Sequence, residues 1–216
     1  MSTSVLFDLD GTLSDSAPGI LGSLEFAFDE LGLPWVDEVT ARSLLGPPFW
    51  HSLPPLVGAS RVDEVVEVYR QHYVEDGGMF NTRRYDGVME VLTALSDAGY
   101  RLAVATSKPE IHAVRILTHL GITTFFERIC GDTLDGQRGS KAMVVGEVLS
   151  RLGRPDPESV LMVGDRSHDV LGAAAHGVRC AGALWGYGTV EELTAAGALR
   201  LCERPGEVLE LLGVGR

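Results

Sequence analysis

The sequence predicts an α/β protein: a parallel sheet with flanking helices, and a helical module inserted after the first strand. Three observations predict it. From about Arg84 onward, strand-like and helix-like segments alternate, the pattern of βαβ units. Two short apolar runs, Val5-Leu6-Phe7 and Val160-Leu161-Met162-Val163, read as strands buried on both faces, and an aspartate follows closely on each. Between residues 17 and 78 no strand pattern intervenes, and apolar residues recur at helical spacing.

In chain order, Val5 to Phe7 form the first strand. Ile20, Leu24, Phe28 and Leu31 mark a helix that Gly32 stops. A short helix follows from Asp37 to Leu45, broken by Gly46-Pro47-Pro48, and the stretch from Phe49 to Leu56 holds a turn or two, bounded by Pro54-Pro55. Val62, Val66, Tyr69 and Tyr73 mark a longer amphipathic helix that ends at Gly77-Gly78. Beyond Arg84, helices are expected over 87–98, 109–120, 141–152, 169–176, 189–196 and 206–212. Strands are expected over 101–106, 128–131, 160–163, 179–184 and 200–202.

The chain's 216 residues suffice for one good-sized core and a small second module. A hydrophobic fraction of 45% and a charged fraction of 22% are those of a soluble globular protein. The net charge of −12 argues against a nucleic-acid polymer or an anionic membrane as partner, but not against a small phosphate ester, because a metal and one or two cations reverse the local field. The start carries no basic segment followed by a long apolar core, and no apolar run is long enough for a membrane span. Cys130, Cys180 and Cys202 are far apart and odd in number, which suits structural thiols in a reducing cytoplasm.

The chemistry concentrates at strand ends. Alternation along the first strand puts Asp8 and Asp10 on one side of its carboxyl end, where open α/β sheets bind ligands. Two converging carboxylates repel unless a cation sits between them, which suits Mg²⁺ together with a nucleophile and a general acid/base. Asp-Leu-Asp-Gly taken alone is equally an ordinary solvated turn. Thr106 and Ser107, before a helix, form either a phosphate cradle or a simple helix cap. Lys141 opens a helix, where its charge opposes the macrodipole; it is either a solvated loop-end lysine or a site cation. Asp165 ends a second apolar strand and suits a metal ligand facing Asp8, and Asp169 either caps the next helix or steadies Lys141 or a metal-bound water.

Taken together, VLFDLDGTLSDS (5–16), ATSKP (105–109), Lys141 and VLMVGDRSHDV (160–170) resemble the four ordered motifs of the haloacid dehalogenase-like hydrolases, most of which are phosphatases. Ser107 stands where relatives often carry Asn. The helical insert is similar to the cap of phosphoglycolate phosphatase-like members. Asp15-Ser16-Ala17-Pro18, Gly46-Pro47-Pro48, Tyr85-Asp86-Gly87-Val88 and Trp185-Gly186-Tyr187-Gly188 resemble a 5′-nucleotidase-like branch, with Asp86 where relatives usually carry Pro.

The resemblance implies a Rossmann-like core of residues 1–16 and 84–216, with strand order 3-2-1-4-5, and a helical cap of 17–83. It implies Asp8 as nucleophile, Asp10 as acid/base, and Mg²⁺ on Asp8, the Asp10 carbonyl and Asp165. Thr106, Ser107 and Lys141 would bind phosphate, with Gly11 and Asp169 in support. The expected partner is a small phosphorylated metabolite, phosphoglycolate or a nucleoside 5′-monophosphate, and the expected assembly is a monomer or homodimer. Phe49 and Trp50, stiffened by the two prolines before them, are candidate readers of the leaving group, with a planar base favoured. Phe49 and Trp50 serve equally well as packing for the cap. A sugar phosphomutase on the same core is the alternative. A dehalogenase attacks carbon and lacks the second Asp, so Asp10 argues against it. The sequence assigns no role to Arg166 or His168.

Overall fold

A computed structural model describes residues 3–46 and 49–215; Pro47 and Pro48, expected to break and stiffen the loop before Phe49, lie outside the described residues. The chain runs through β1 (Ser4–Phe7) and β2 (Ser14–Asp15) into α1 (Ala17–Glu30), α2 (Glu38–Ser43), α3 (Phe49–Ser52), α4 (Pro54–Val57) and α5 (Val62–Arg70). Then come β3 (Arg83–Arg84), α6 (Val88–Asp97), β4 (Arg101–Pro109), α7 (Glu110–His119), β5 (Arg128–Asp132) and α8 (Lys141–Arg151). It closes with β6 (Val160–Gly164), α9 (Ser167–Ala174), β7 (Arg179–Ala183), α10 (Val190–Ala196), β8 (Arg200–Cys202) and α11 (Glu207–Leu212). Two compact units result, Met1–Ser14 with Arg84–Arg216, and Asp15–Arg83. The chain passes from one to the other through β2 and β3, which pair with each other and were not foreseen from sequence.

The first unit is built on a parallel sheet in the order β5-β4-β1-β6-β7-β8. Counted along the sheet strands alone, this is the expected 3-2-1-4-5 order with β8 added at one edge. Topology reverses on either side of β1, and ligands bind beyond such a reversal in doubly wound sheets. Register levels the strand ends there: Phe7 lies opposite both Val104 and Val163. Val5, Leu6 and Phe7 are buried on both faces, which explains why β1 reads as an unbroken apolar run. On one face Leu6, Ala103 and Met162 pack against Val144, Val145 and Val148 of α8 and Val170 and Ala173 of α9. Cys130, Cys180 and Cys202 are buried free thiols.

Two boundaries differ from the sequence-based expectation. β4 continues past Thr106 to Pro109, because after a register shift Pro109 still pairs with Asp132 of β5. The helix expected from Asp169 starts at Ser167, because the Asp169 carboxylate turns back to accept the Arg166 backbone N–H at 3.0 Å and so caps the helix from inside its first turn.

The second unit has its own core. α1 buries Ile20, Leu24, Ala27 and Phe28 at i, i+4, i+7 and i+8, and α5 buries Val62, Val65, Val66 and Tyr69. Tyr69 meets Phe49 edge-on at 4.8 Å and stacks on Tyr73 at 5.2 Å. Phe49 therefore packs within this unit, while Trp50 is 50% exposed with the Arg70 guanidinium 5.7 Å from its ring centre. After α5 the chain makes a π-helical turn over Gln71–Glu75, which brings His72 against Phe26 at 4.3 Å and within 2.9 Å of Ser23 Oγ. Among the described residues no helix is long and apolar enough to cross a membrane.

α1 offers a test of this packing, because two of its glycines face opposite surroundings. Alanine is better than glycine inside a helix by roughly 0.5–1 kcal/mol. At Gly22, with nothing within 4 Å, Gly22→Ala should raise the urea midpoint accordingly. At Gly19 an added Cβ would stand 2.5 Å from the Gly78 carbonyl oxygen, a backbone atom that cannot step aside, so Gly19→Ala should lower it. Equal gains for the two variants would remove the close approach of α1 to the Gly78 segment.

Candidate active site

Beyond Phe7 the chain stays beside β6 for one more residue: the Asp8 N–H donates to the Val163 carbonyl at 3.0 Å. It then turns sharply. The N–H groups of Leu13 and Ser14 both donate to the Leu9 carbonyl at 3.0 Å, and Gly11 takes a φ of +81°. Glycine is required there twice over, by the left-handed backbone and because a Cβ would fall on the Asp165 carboxylate. That tight turn lets the end of β1 close directly onto the end of β6.

Asp165 is fully buried. Thr12 Oγ1 donates to its Oδ1 at 3.1 Å, and the Tyr187 backbone N–H donates to its Oδ2 at 2.9 Å. The Tyr187 segment is anchored by Trp185, whose indole Nε1–H donates to the Thr12 carbonyl at 2.9 Å. Gly186 and Gly188 allow the approach, since a side chain on either would collide with Asp165.

Lys141 begins α8 behind the Ser140 cap, whose hydroxyl accepts the Met143 N–H at 3.3 Å. Its side chain is buried, with Nζ 2.8 Å from Asp8 Oδ1 and 2.7 Å from Asp169 Oδ1. It donates to the Ala105 carbonyl at 3.0 Å. The two carboxylate contacts are ion pairs at hydrogen-bond distance, and both act to keep the lysine charged. Asp10 Oδ1, by contrast, is a buried acceptor without a hydrogen-bond partner. Gly164 and Gly172 make room for this arrangement: a Cβ at the first would strike Asp169, and at the second it would lie 2.7 Å from Lys141 Cγ.

Oxygens of Asp8, Asp165 and Asp169 lie within 4.8 Å of one another. Burial raises the Asp8 pKa to about 7; Lys141 pulls it down, and Asp169 and Asp10 push it up. Burial also raises Asp165 well above the carboxylate range, with Asp169 and Asp8 adding to it and the Tyr187 and Thr12 donors opposing. For Lys141, burial disfavours the ammonium, but Asp169 and Asp8 outweigh it and hold the lysine charged. With Asp10 and its partner Lys108 included, four acidic groups face two ammonium groups; full ionisation would leave two negative charges uncompensated, and the raised pKa values of Asp8 and Asp165 express that excess. A buried cluster in which acidic groups outnumber their cations fits a hard divalent cation such as Mg²⁺.

The remaining residues of interest fall around this centre. Asp10 turns its side chain to Lys108, with 3.1 Å between Oδ2 and Nζ, and it is not part of the carboxylate cluster. Thr106 is buried within β4 and its Oγ1 accepts the Lys108 N–H at 3.2 Å, whereas Ser107 is exposed. Arg166 Nε donates to both carboxylate oxygens of Glu192, at 3.0 and 3.2 Å, which ties the first turn of α10 to the start of α9. His168 is half-buried beside it, and burial lowers its pKa. Sequence reasoning missed Lys108 and the roles of Thr12, Trp185 and Tyr187 around Asp165. Composition carried a signal for the first: only two of the 18 cationic residues are lysines, Lys108 and Lys141, and both are in this site.

Comparison with known proteins agrees with this geometry. The family model for haloacid dehalogenase-like hydrolases matches residues 5–183. A tyrosine-protein kinase PtkA of Mycobacterium tuberculosis is 43% identical over 97% of this chain and 72% of its own length. A 5′-nucleotidase of Pseudomonas aeruginosa is 38% identical over 92% of this chain and 90% of its own. Phosphoglycolate phosphatases are among the further relatives. A haloacid dehalogenase-like hydrolase structure from Streptococcus pneumoniae superposes with a TM-score of 0.92 at 31% identity, covering 98% of both chains. The chain belongs to the haloacid dehalogenase-like hydrolase family, in the branch that includes 5′-nucleotidases and phosphoglycolate phosphatases.

Proposed function

We propose that the protein is a Mg²⁺-dependent phosphatase of small phosphomonoesters that works through an aspartyl-phosphate on Asp8. The observation that carries this reading is the buried Asp8 carboxylate, paired with Lys141 Nζ at 2.8 Å and within reach of two further carboxylates. In the proposed reaction an Asp8 oxygen attacks phosphorus while Asp10 gives a proton to the departing oxygen. Asp10 then takes a proton from the water that cleaves the acyl phosphate and frees Asp8. Lys141, Thr106 and Ser107 are proposed to bind the phosphoryl oxygens, where fixed positive charge and donors lower the barrier most. Asp169 holds the Lys141 ammonium. Asp8, Asp165 and the Asp10 backbone carbonyl are the proposed ligands of Mg²⁺. When bound, Mg²⁺ supplies positive charge against the nucleophile and the phosphoryl group.

The motif residues read phosphate, so the choice among phosphomonoesters falls to other residues of the chain. Phe49 is taken up by Tyr69, which leaves Trp50 as the candidate for a planar leaving group. We favour a nucleoside 5′-monophosphate over phosphoglycolate on that ground, and relatives named for both substrates are known. One observation favours a second reading, the 43% identity to a relative named as a tyrosine-protein kinase. In that reading the phosphoryl group of Asp8 passes to a tyrosine hydroxyl instead of water. Phosphate recovered in a tyrosine peptide rather than as inorganic phosphate would select it.

Asp8→Asn should abolish turnover of an aryl phosphate in Mg²⁺ while the far-UV circular dichroism stays that of wild type. Substantial turnover by the folded variant would end the reading.

The same residue makes a prediction about stability. With a folded-state pKa of about 7, Asp8 keeps its proton in the native protein over a range where the unfolded chain has released it. Without divalent cation, stability should therefore fall as pH rises from about 4 to about 7. Asp8→Asn should reduce this slope, to which Asp165 also contributes, unfold at a higher temperature than wild type at neutral pH in EDTA, and gain less from added Mg²⁺. A wild-type melting temperature in EDTA that is level over that range, or a variant that gains as much from Mg²⁺, would count against the excess charge at the centre.

For substrate choice, kcat/KM over a panel holding both a nucleoside monophosphate and phosphoglycolate should favour the nucleotide. Trp50→Ala should narrow the preference. A wild-type preference for phosphoglycolate, or an unchanged panel in the folded variant, would remove the lean.

A further inference from the structure

We propose that Lys108 is a positioning residue for the proton transfer by Asp10, an inference that rests on the phosphatase reading above. The chain carries its surface positive charge almost entirely on arginine: of 18 cationic side chains only Lys108 and Lys141 are lysines. Lys141 is paired with Asp8 and Asp169. Lys108 answers to Asp10, its Nζ lying 3.1 Å from Oδ2 with only 9% of its side chain exposed. A mostly buried lysine whose ammonium lies on a carboxylate oxygen does not serve solubility.

The backbone is shaped to deliver it. β4 does not end at Thr106 but runs on, out of register, to Pro109 opposite Asp132. Within that stretch the Lys108 N–H donates to Thr106 Oγ1 at 3.2 Å, which fixes its main chain next to the end of β1. Gly131 of β5 sits so close that a Cβ there would strike the Lys108 carbonyl oxygen. The irregular end of β4 thus holds the ammonium against Asp10.

The consequence lies in how the Asp10 carboxyl is held. Lys108 takes Oδ2, and Oδ1 is enclosed by protein without a hydrogen-bond partner, so the ion pair is what fixes the carboxyl plane. From the carboxyl held in that plane the proton goes to the departing ester oxygen as the phosphorus–oxygen bond breaks and its electron pair stays on that oxygen. In the second half-reaction Asp10 takes the proton back from water.

The test compares leaving groups by kcat/KM, which reports only the steps up to phosphorylation of Asp8. General acids contribute about 10²–10⁴-fold, and most where the leaving group needs a proton. Asp10→Asn should therefore lose much more on an alkyl phosphate than on p-nitrophenyl phosphate. Lys108→Met, close in shape to lysine, should show the same selectivity at smaller size: about a tenfold loss on the alkyl ester and about twofold or less on the nitrophenyl ester. The double variant should be no slower than Asp10→Asn alone, and Lys108→Arg should recover part of the alkyl-ester rate. Lys108→Gln provides the same comparison if Lys108→Met does not fold. Equal losses on both esters, or losses that multiply in the double variant, would show that Lys108 binds substrate or supports the fold, and would overturn the inference. If Asp10→Asn itself shows no dependence on leaving group, the acid role of the phosphatase reading falls. If Asp10→Asn shows it and Lys108→Met does not, only the assignment to Lys108 falls.

Discussion

The ends of β1 and β6 and the first turn of α9 place three carboxyl groups within 4.8 Å of one another in a buried position, and a single ammonium lies among them. Carboxylates removed from water must be neutralised, paired or given to a metal, because an unpaired buried charge costs several kcal/mol. Lys141 is held at a site where its own helix opposes it, since a cation at a helix N-terminus works against the macrodipole. The contacts to Asp8 and Asp169 outweigh that local cost. The same contacts leave the cluster with more acidic groups than cations, so that it is suited to receiving positive charge.

Rigid elements rather than loops carry this frustrated centre. Asp8 is fastened to β6 through Val163, Asp165 is fastened by Thr12 and Tyr187, and Asp169 is fastened by the Arg166 N–H at the first turn of α9. Lys141 reaches across from α8 to the Ala105 carbonyl on β4. Each charged group thus spends one contact on its own scaffold and keeps another for the centre. Such preorganisation lets fixed charges act on a reacting group without first rearranging.

Much of this was legible in the sequence, for a physical reason. A parallel strand buried on both faces must be an apolar run, so an aspartate at its end stands out, and Asp8 and Asp165 are marked in that way. Lys141 was legible as a cation where local helix electrostatics disfavours one. What was not legible depended on backbone irregularity or on main-chain donors. The extension of β4 beyond Thr106 depends on a register shift with β5 that no periodicity encodes, and with it went the pairing of Lys108 to Asp10. Tyr187 serves Asp165 through its backbone N–H, which any residue but proline offers, so its identity announces nothing. The π-helical turn at Gln71–Glu75 continues the apolar spacing of α5 and reads as ordinary helix.

The glycines around the centre have a consequence for how this protein can change over time. At Gly11, Gly164, Gly172, Gly186 and Gly188 a single added carbon would press on Asp165, Asp169 or Lys141. None of these glycines takes part in the chemistry, yet each is as confined as a residue that does. A mutational path to a new activity cannot begin by enlarging a side chain there, because the first step would dislodge the charges before any benefit appeared. Novelty has to enter through positions with open space around them, and the inner wall of the site is left invariant by sterics alone.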